Sequence, residues 1–273
     1  MIEHRVSRRG ALTLAVWLAA TAAASAQTAA TQAPYEPKVG QAGKDVVWVP
    51  TPQALVDKML DMAKVTPQDY LIDLGSGDGR TVITAAKRGL RAHGIEYNEE
   101  MVALAKRNAA EAKISQMATF EKADIFESDF SKATVITLFL LPQLNLKLRP
   151  TLLDLKPGTR IVSNSFTMDD WQPDETATVD DGCTSWCTAL FWIIPAKVEG
   201  LWQVGNGELA LTQQFQKISG TLGGTAISEG SLKGEEITFT VGAAKYTGRV
   251  AGNSMQGTIG GGRGATSWSA TRR

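Results

Sequence analysis

The residues best placed to do chemistry lie in YLIDLGSGDGR, Tyr70 to Arg80, where an apolar run meets a tight glycine turn carrying two carboxylates. Gly75, Gly77 and Gly79 follow an expected strand and open an expected helix, with Ser76 inside the turn. Glycine spacing of this kind often serves a phosphate, whose oxygens meet backbone N–H groups at a helix N-terminus. A P-loop is excluded, because no Gly-Lys-Ser/Thr closes the turn. A pyrophosphate is disfavoured as well: Asp73 at the strand end and Asp78 within the turn would repel it in a partly dry cleft. Two acids at a glycine turn suit a ligand that is cationic at its reactive end.

S-adenosylmethionine is such a ligand. It carries a sulfonium and an ammonium, offset by one carboxylate. Glycines let the backbone pass close to its methionyl and ribose portions, and the helix N-terminus can face its carboxylate. A second expected strand ends at Glu96 in HGIEYN, about 20 residues on, where an acid can accept from both ribose hydroxyls. Tyr97 beside it can pack on the adenine. A third strand ends at Asp124 in EKADIF, where a carboxylate can accept from the adenine amino group while Ile125 covers the ring. Each acid alone could be a solvated strand end. Together they fall along one crevice at the carboxyl edge of an open α/β sheet, the expected ligand position in such a fold.

The run DLGSGDGR…GIEYN…AD resembles the class I S-adenosylmethionine-dependent methyltransferases. More narrowly, VWVPTP…LIDLGSGDGRTVITAAKRG…GIEYN and MDDWQPD resemble a group that includes the mitochondrial lysine methyltransferases acting on the c-ring protein of ATP synthase and on adenine nucleotide translocase. A looser likeness extends to Dot1-type histone lysine methyltransferases. The resemblance covers roughly Val46 to Pro195. It implies Asp73, Gly75, Gly77 and Glu96 as cofactor contacts, with Pro50 and Thr51 closing over the cofactor. The implied activity is methyl transfer to an acceptor that the motif does not identify. A protein lysine and a small molecule both stay open, as does a binding module that keeps the fold without transfer.

On the acceptor side, the loop after the fourth strand reads FLLPQLN. Methyltransferases of amide or adenine nitrogens commonly place Asn/Asp-Pro-Pro-Tyr/Phe there. Leu141, Pro142 and Gln143 replace it, which removes support for those substrates. Gln143 and Asn145 are read as solvated loop polars, with an orienting role toward an acceptor as the alternative. Asn164 and Ser165 close the fifth strand and are candidates to line the pocket. Trp171 is read as a packing anchor, with an acceptor wall as the alternative. His93, inside a strand, is read as a satisfied core histidine rather than a base.

These residues need a scaffold of alternating strands and helices. TPQALVDKMLDMAKV has helical apolar spacing, with Thr51 as its expected cap and Pro52 in its first turn. YLIDL, RAHGIE, ATFEKAD, ATVITLFLL, TRIVSNSFT, ETATVD and TALFWIIPA read as seven strands, the fourth buried on both faces. TVITAAKRG and NEEMVALAKRNAAEAK read as helices, the second capped by Asn98. LNLKLRPTLLDL is a helix perturbed by Pro150. The expected architecture over residues 46–196 is a Rossmann-like, mostly parallel sheet with helices on both faces, ending in an antiparallel pair. Residues 197–273 change texture to short alternating runs between glycines, an antiparallel β module forming a small barrel or sandwich. ISGTL, YTGRV and MQGTI form a weak repeat with a glycine bend in each strand. The module could cover an edge of the first domain or meet an envelope partner.

The first 26 residues read as a signal peptide. Arg5, Arg8 and Arg9 precede an apolar run from Ala11 to Ala20 that is too short to span a bilayer, and Ala24-Ser25-Ala26 is a cleavage pattern. Arg8-Arg9 after Ser7 suggests the twin-arginine route, with a general secretory signal as the alternative. Cleavage removes three basic residues and one acid, leaving a mildly acidic chain. No basic excess points to nucleic acid. No later segment is long enough to span a membrane, and residues 27–45 read as a flexible leader. The expected location is therefore periplasmic or otherwise exported, or cytoplasmic if the signal is not used. Cys183 and Cys187 have no partners for a zinc site. They form either a local disulfide, if the compartment is oxidising, or two half-buried thiols.

Overall fold

In the computed structural model of the chain, residues 1–3, 35–260 and 266–273 are described. The expected signal peptide, apart from its first three residues, and residues 27–34 of the expected leader lie outside them. Tyr35–Arg273 forms one compact unit.

The alternating pattern builds a seven-stranded sheet. In chain order its elements are α1 (Gln53–Met62), β1 (Tyr70–Leu74), α2 (Arg80–Lys87), β2 (Arg91–Glu96), α3 (Glu99–Glu111), β3 (Ala118–Lys122), β4 (Val135–Leu138), α4 (Pro142–Leu153), β5 (Arg160–Asn164), β6 (Glu175–Thr178) and β7 (Thr188–Ile193). The strand order is β3-β2-β1-β4-β5-β7-β6, with β7 alone running against the other six. The order reverses beside β1, between β2 and β4, so a crevice opens where Asp73, Glu96 and the residues after β4 converge. Apolar residues cover both faces. Leu55, Leu60, Leu71, Val82 and Val135 belong to one cluster; Leu74, Ile136, Leu148, Trp171 and Trp192 belong to the other.

Local signals explain most boundaries. Asn98 caps α3, its Oδ1 accepting from the N–H groups of Glu100 (2.9 Å) and Met101 (3.2 Å). Gly89, at φ +92°, follows α2 in the left-handed conformation that suits glycine. Two expectations need correction. Thr51 does not cap α1: Pro52 holds the cap position without a side-chain bond, and the Thr51 hydroxyl instead accepts from Asn164 Nδ2 at 3.3 Å. The apolar run of the fourth strand pairs only over Val135–Leu138, and Phe139 to Leu141 leave the ladder to line a cavity. Pro150 sits within α4 without ending it.

The remaining eight strands are β8 (Gly200–Val204), β9 (Gly207–Gln214), β10 (Lys217–Leu222), β11 (Thr225–Lys233), β12 (Glu236–Val241), β13 (Ala244–Ala251), β14 (Ser254–Gly260) and β15 (Thr266–Arg272). They form an antiparallel meander that closes when β15 pairs with β8, a barrel and not a sandwich. Trp202, Leu209, Ile237, Phe239 and Trp268 fill its interior, while Lys245, Thr247, Arg249 and Ser269 face out. Apolar inside and polar outside is the reverse of a barrel that faces lipid. Gly248 and Gly257 are paired across β13 and β14. A side chain at Gly257 would stand 1.9 Å from the Thr247 carbonyl, so close backbone approach requires glycine there. Among the described residues, no helix is long and apolar enough to cross a membrane.

Candidate active site

A cavity of about 560 Å³ lies over the carboxyl edge of β1, β2 and β4. The glycine turn forms its floor. Gly75 (φ +86°) and Gly77 (φ +53°) take left-handed conformations, and a side chain at Gly77 would strike the Trp48 indole at 2.6 Å. The turn is tied down from both sides. Gly75 and Ser76 donate to the Ile95 carbonyl (2.9 and 3.1 Å), and Gly77 N–H donates to Glu96 Oε2 at 2.9 Å. Glu96 Oε1 accepts from Asn98 N–H at 2.9 Å, which fixes the carboxylate while each oxygen keeps a free lone pair.

Five carboxylates line this cavity: Asp45, Asp73, Asp78, Glu96 and Asp124. Their electrostatic situations differ. Asp78 is clamped by Arg80, with Nε and Nη2 reaching its oxygens at 2.6–3.1 Å. Asp124 is ion-paired with Lys44, which together with the Phe126 N–H holds its carboxyl below the usual range. Asp73 has no basic partner among the described residues. It is buried at 7% exposure and accepts only from Thr137 Oγ1 at 2.6 Å. Burial, reinforced by the charges of Glu96 and Asp78, pushes it up to about 7 against the opposing Thr137 bond. The charge surplus that a cationic ligand would answer therefore sits at Asp73 and Glu96. The turn's own Asp78 already has its counter-ion.

Of the residues singled out in the sequence, Thr51, Asp73, Gly75, Ser76, Gly77, Asp78, Glu96, Tyr97, Asp124, Ile125 and Leu141 all line the cavity. Gly79 does not: it is the left-handed residue before α2, packed so closely on Phe120 and Ala105 that no side chain fits. Pro142 and Gln143 are exposed on the first turn of α4, outside the cavity. Asn164 is fully buried behind Thr51. Asn145 is not a solvated loop polar. It is fully buried, and its amide donates to the carbonyls of Phe166 (3.1 Å) and Thr167 (3.2 Å). Ser163 Oγ also donates to the Phe166 carbonyl, at 2.7 Å. These bonds hold the turn that presents Phe166 to the cavity. His93 is half-buried within β2 and bonded to Thr119 Oγ1 at 2.8 Å, away from the cavity. Trp171 is a packing anchor with no exposed surface.

Sequence reasoning missed two groups. The first is the strap from Gln41 to Trp48, expected in part as flexible leader. It folds back on itself, Ala42 bridging Val47 and Trp48 N–H donating to the Gln41 carbonyl at 2.9 Å. It closes over the cavity through Lys44, which pairs with Asp124 and lies 4.7 Å from the Tyr97 ring centre. Gly40 and Gly43 were the available turn signal. The second is an aromatic cluster of Phe139, Phe166 and Trp186. Trp186 sits in the β6–β7 loop, closed by the Cys183–Cys187 disulfide.

The residues present fit S-adenosylmethionine. The unpaired buried carboxylate of Asp73 calls for a cation. The glycines bring bare backbone to the crevice, and the buried Ser76 hydroxyl has no partner among the described residues. A sheet of this order with a glycine turn and acids at successive strand ends defines an S-adenosylmethionine-dependent methyltransferase.

The ANTKMT methyltransferase domain family matches residues 73–175. A protein-lysine N-methyltransferase of Saccharolobus islandicus is 45% identical over 140 residues, 50% of this chain and 87% of that relative. The adenine nucleotide translocase lysine N-methyltransferase of Mus musculus is 34% identical over 129 residues, 46% of this chain and 55% of that relative. A solved structure of an RNA methyltransferase from Salinibacter ruber, in complex with S-adenosyl-L-homocysteine, is 47% identical with a TM-score of 0.52. That match covers 55% of this chain and 96% of the other. The chain belongs to this family of S-adenosylmethionine-dependent methyltransferases.

Proposed function

We propose that the enzyme methylates a protein lysine, with Asp73 receiving the cofactor's ammonium, Glu96 its ribose hydroxyls, and Tyr97, Asp124 and Ile125 its adenine. The reading rests on the 45% identity to a protein-lysine N-methyltransferase across most of that relative's length. When bound, the cofactor supplies an electrophilic methyl group on its sulfonium. The chain's task is to align the acceptor nitrogen in line with it and to exclude water. Leu140, Leu141, Phe139 and Phe166 make the acceptor end of the cavity apolar. An apolar wall favours the neutral amine over the ammonium, so a lysine can lose its proton without a dedicated base.

The solved relative called an RNA methyltransferase supports RNA as a second reading. The chain's equal count of basic and acidic residues, 28 each, weighs against it. The test is transfer of labelled methyl from S-adenosylmethionine into cell-envelope and total-cell extracts by residues 27–273. Label should enter protease-sensitive, ribonuclease-resistant material and be recovered as methyl-lysine after acid hydrolysis. Ribonuclease-sensitive label would replace lysine with RNA.

The enzyme also works outside the cytoplasm in this reading. The Cys183–Cys187 disulfide supports an oxidising compartment. Fractionating cells that express the full chain should place the processed protein in the periplasm. Changing Arg8 and Arg9 to Lys should leave it unprocessed if the twin-arginine route is used. An unprocessed wild-type chain in the cytosol would reject export.

A further inference from the structure

Trp186 is an exposed indole, 46% accessible, beside the polar residues Thr184 and Ser185, and it lines the cavity. Its backbone is left-handed (φ +52°), uncommon for so bulky a residue. The Cys183–Cys187 bridge closes the loop around it. The indole meets Phe139 edge-on with ring centres 6.1 Å apart, and Phe139 in turn stacks on Phe166 at 5.9 Å. Phe166 is itself fixed by Asn145 and Ser163. Three aromatic rings from three separate loops thus meet on the β4–β5 side of the cavity, away from the strand ends that carry Glu96 and Asp124. Exposing an indole to water at a left-handed position is unfavourable for the free loop, and Phe139 is its one aromatic partner among the described residues.

We propose that Trp186, held in place by the Cys183–Cys187 disulfide, is the residue that selects the acceptor: it forms the outer wall of an aromatic entrance that takes a flexible alkylammonium side chain. This rests on the methyltransferase reading of the same cavity and adds the part that recognises the substrate. The solvent-exposed indole face of Trp186 attracts the charged group as it arrives, and the inner rings of Phe139 and Phe166 pack on its methylene stem. The bridge keeps the indole against Phe139 instead of free in solvent. A dithiol reductant, itself oxidised to its disulfide, delivers two electrons and two protons and leaves two thiols. The loop is then free to move and the outer wall is lost.

The test uses residues 27–273 saturated with S-adenosyl-L-homocysteine, with n-butylammonium as probe of the acceptor entrance and ammonium ion as the control lacking a stem. Calorimetry reads the affinity for S-adenosyl-L-homocysteine. Methyl-resolved NMR reads the dissociation constant of each amine. Saturable butylammonium binding, absent for ammonium ion, is expected in the oxidised wild type. Trp186→Ala, the double change Cys183→Ser with Cys187→Ser, and dithiothreitol treatment of the wild type should each weaken it about tenfold. That is the change expected of one cation–π wall worth on the order of 1 kcal/mol or slightly more. Trp186→Phe should recover most of the affinity, and S-adenosyl-L-homocysteine should bind all forms within twofold of wild type. Equal butylammonium affinity in wild type and Trp186→Ala, or no saturable binding to the wild type, overturns the proposal while leaving the cofactor site standing. Failure of S-adenosyl-L-homocysteine to bind the wild type overturns both.

Discussion

Asp73→Asn should make the cofactor-free enzyme more stable at pH 8 and abolish useful binding of S-adenosylmethionine. The buried carboxyl has a single hydrogen bond, from Thr137, and burial lifts it to about 7 from an unfolded value near 3.8. The sign follows from which state holds the proton more tightly. The folded chain does, so the favourable contribution of Asp73 is complete below about pH 3.8. It is lost as pH rises through 7, and above 7 the ion is held in a dry site without a counter-ion. The cost at pH 8 is on the order of 4 kcal/mol. Asparagine can still accept from Thr137 and carries no charge, so the variant should gain stability of that order. Its melting temperature should also lack the wild type's decline between about pH 4 and 7. Cofactor binding runs the other way. The ammonium prefers the carboxylate, so binding below pH 7 must expel a proton, and affinity should fall by up to about tenfold per pH unit as pH drops. Above about 8 an α-amino group begins to lose its own proton. Affinity should therefore peak between roughly pH 7 and 8 in the wild type, and that peak should be missing in Asp73→Asn. Calorimetry in two buffers of different ionisation enthalpy would expose the released proton. A flat pH profile for the wild type would mean that Asp73 does not meet the cation.

How far the sequence could be read depends on how local each signal is. The parallel sheet, the α3 cap and the glycine turn were legible because periodicity, Asn98 and Gly75-x-Gly77 are properties of a few adjacent residues. The division of labour among the acids was not. Asp78 and Asp124 look like Asp73 in sequence, yet Arg80 stands two residues from one and Lys44 stands eighty residues from the other. Which carboxylates keep their charge for a ligand is decided by these pairings, and the second is tertiary. Asn145 misleads for the same reason. A polar residue three positions past a proline looks solvated, but here the turn after β5 covers it and takes its amide hydrogen bonds. The aromatic cluster was invisible because Phe139, Phe166 and Trp186 come from three loops brought together only by the strand order. The barrel was legible as glycine-punctuated alternation. Its closure was not, since β15 meets β8 across more than sixty residues.

Trp171→Ala should separate the unfolding of the barrel from that of the catalytic sheet. Trp171 has no exposed surface and sits where the two meet. Its ring stacks on Phe215 at 5.7 Å in the turn between β9 and β10, and lies 6.0 Å from Trp192 in β7. Its indole N–H donates to Gln216 Oε1 at 3.0 Å, and Gln216 returns a bond to the Gln172 carbonyl at 2.8 Å. The Trp192 indole donates to the Trp171 carbonyl at 2.9 Å. One side chain thus joins the apolar cluster of the sheet to a corner of the barrel. Removing it leaves a cavity beneath β7 and takes the indole donor from Gln216 Oε1, a loss of about 3–5 kcal/mol. For a unit of this size that lowers its melting temperature by roughly 10 °C. The barrel keeps its own core around Trp202, Phe239 and Trp268 and should be left near its wild-type stability. Calorimetric scans should then show one transition in the wild type and two in the variant, with S-adenosyl-L-homocysteine raising only the lower one. A single transition that moves as a whole would mean that the barrel cannot stand without the sheet, and that its contact with Trp171 is structural support and not the docking of an independent module.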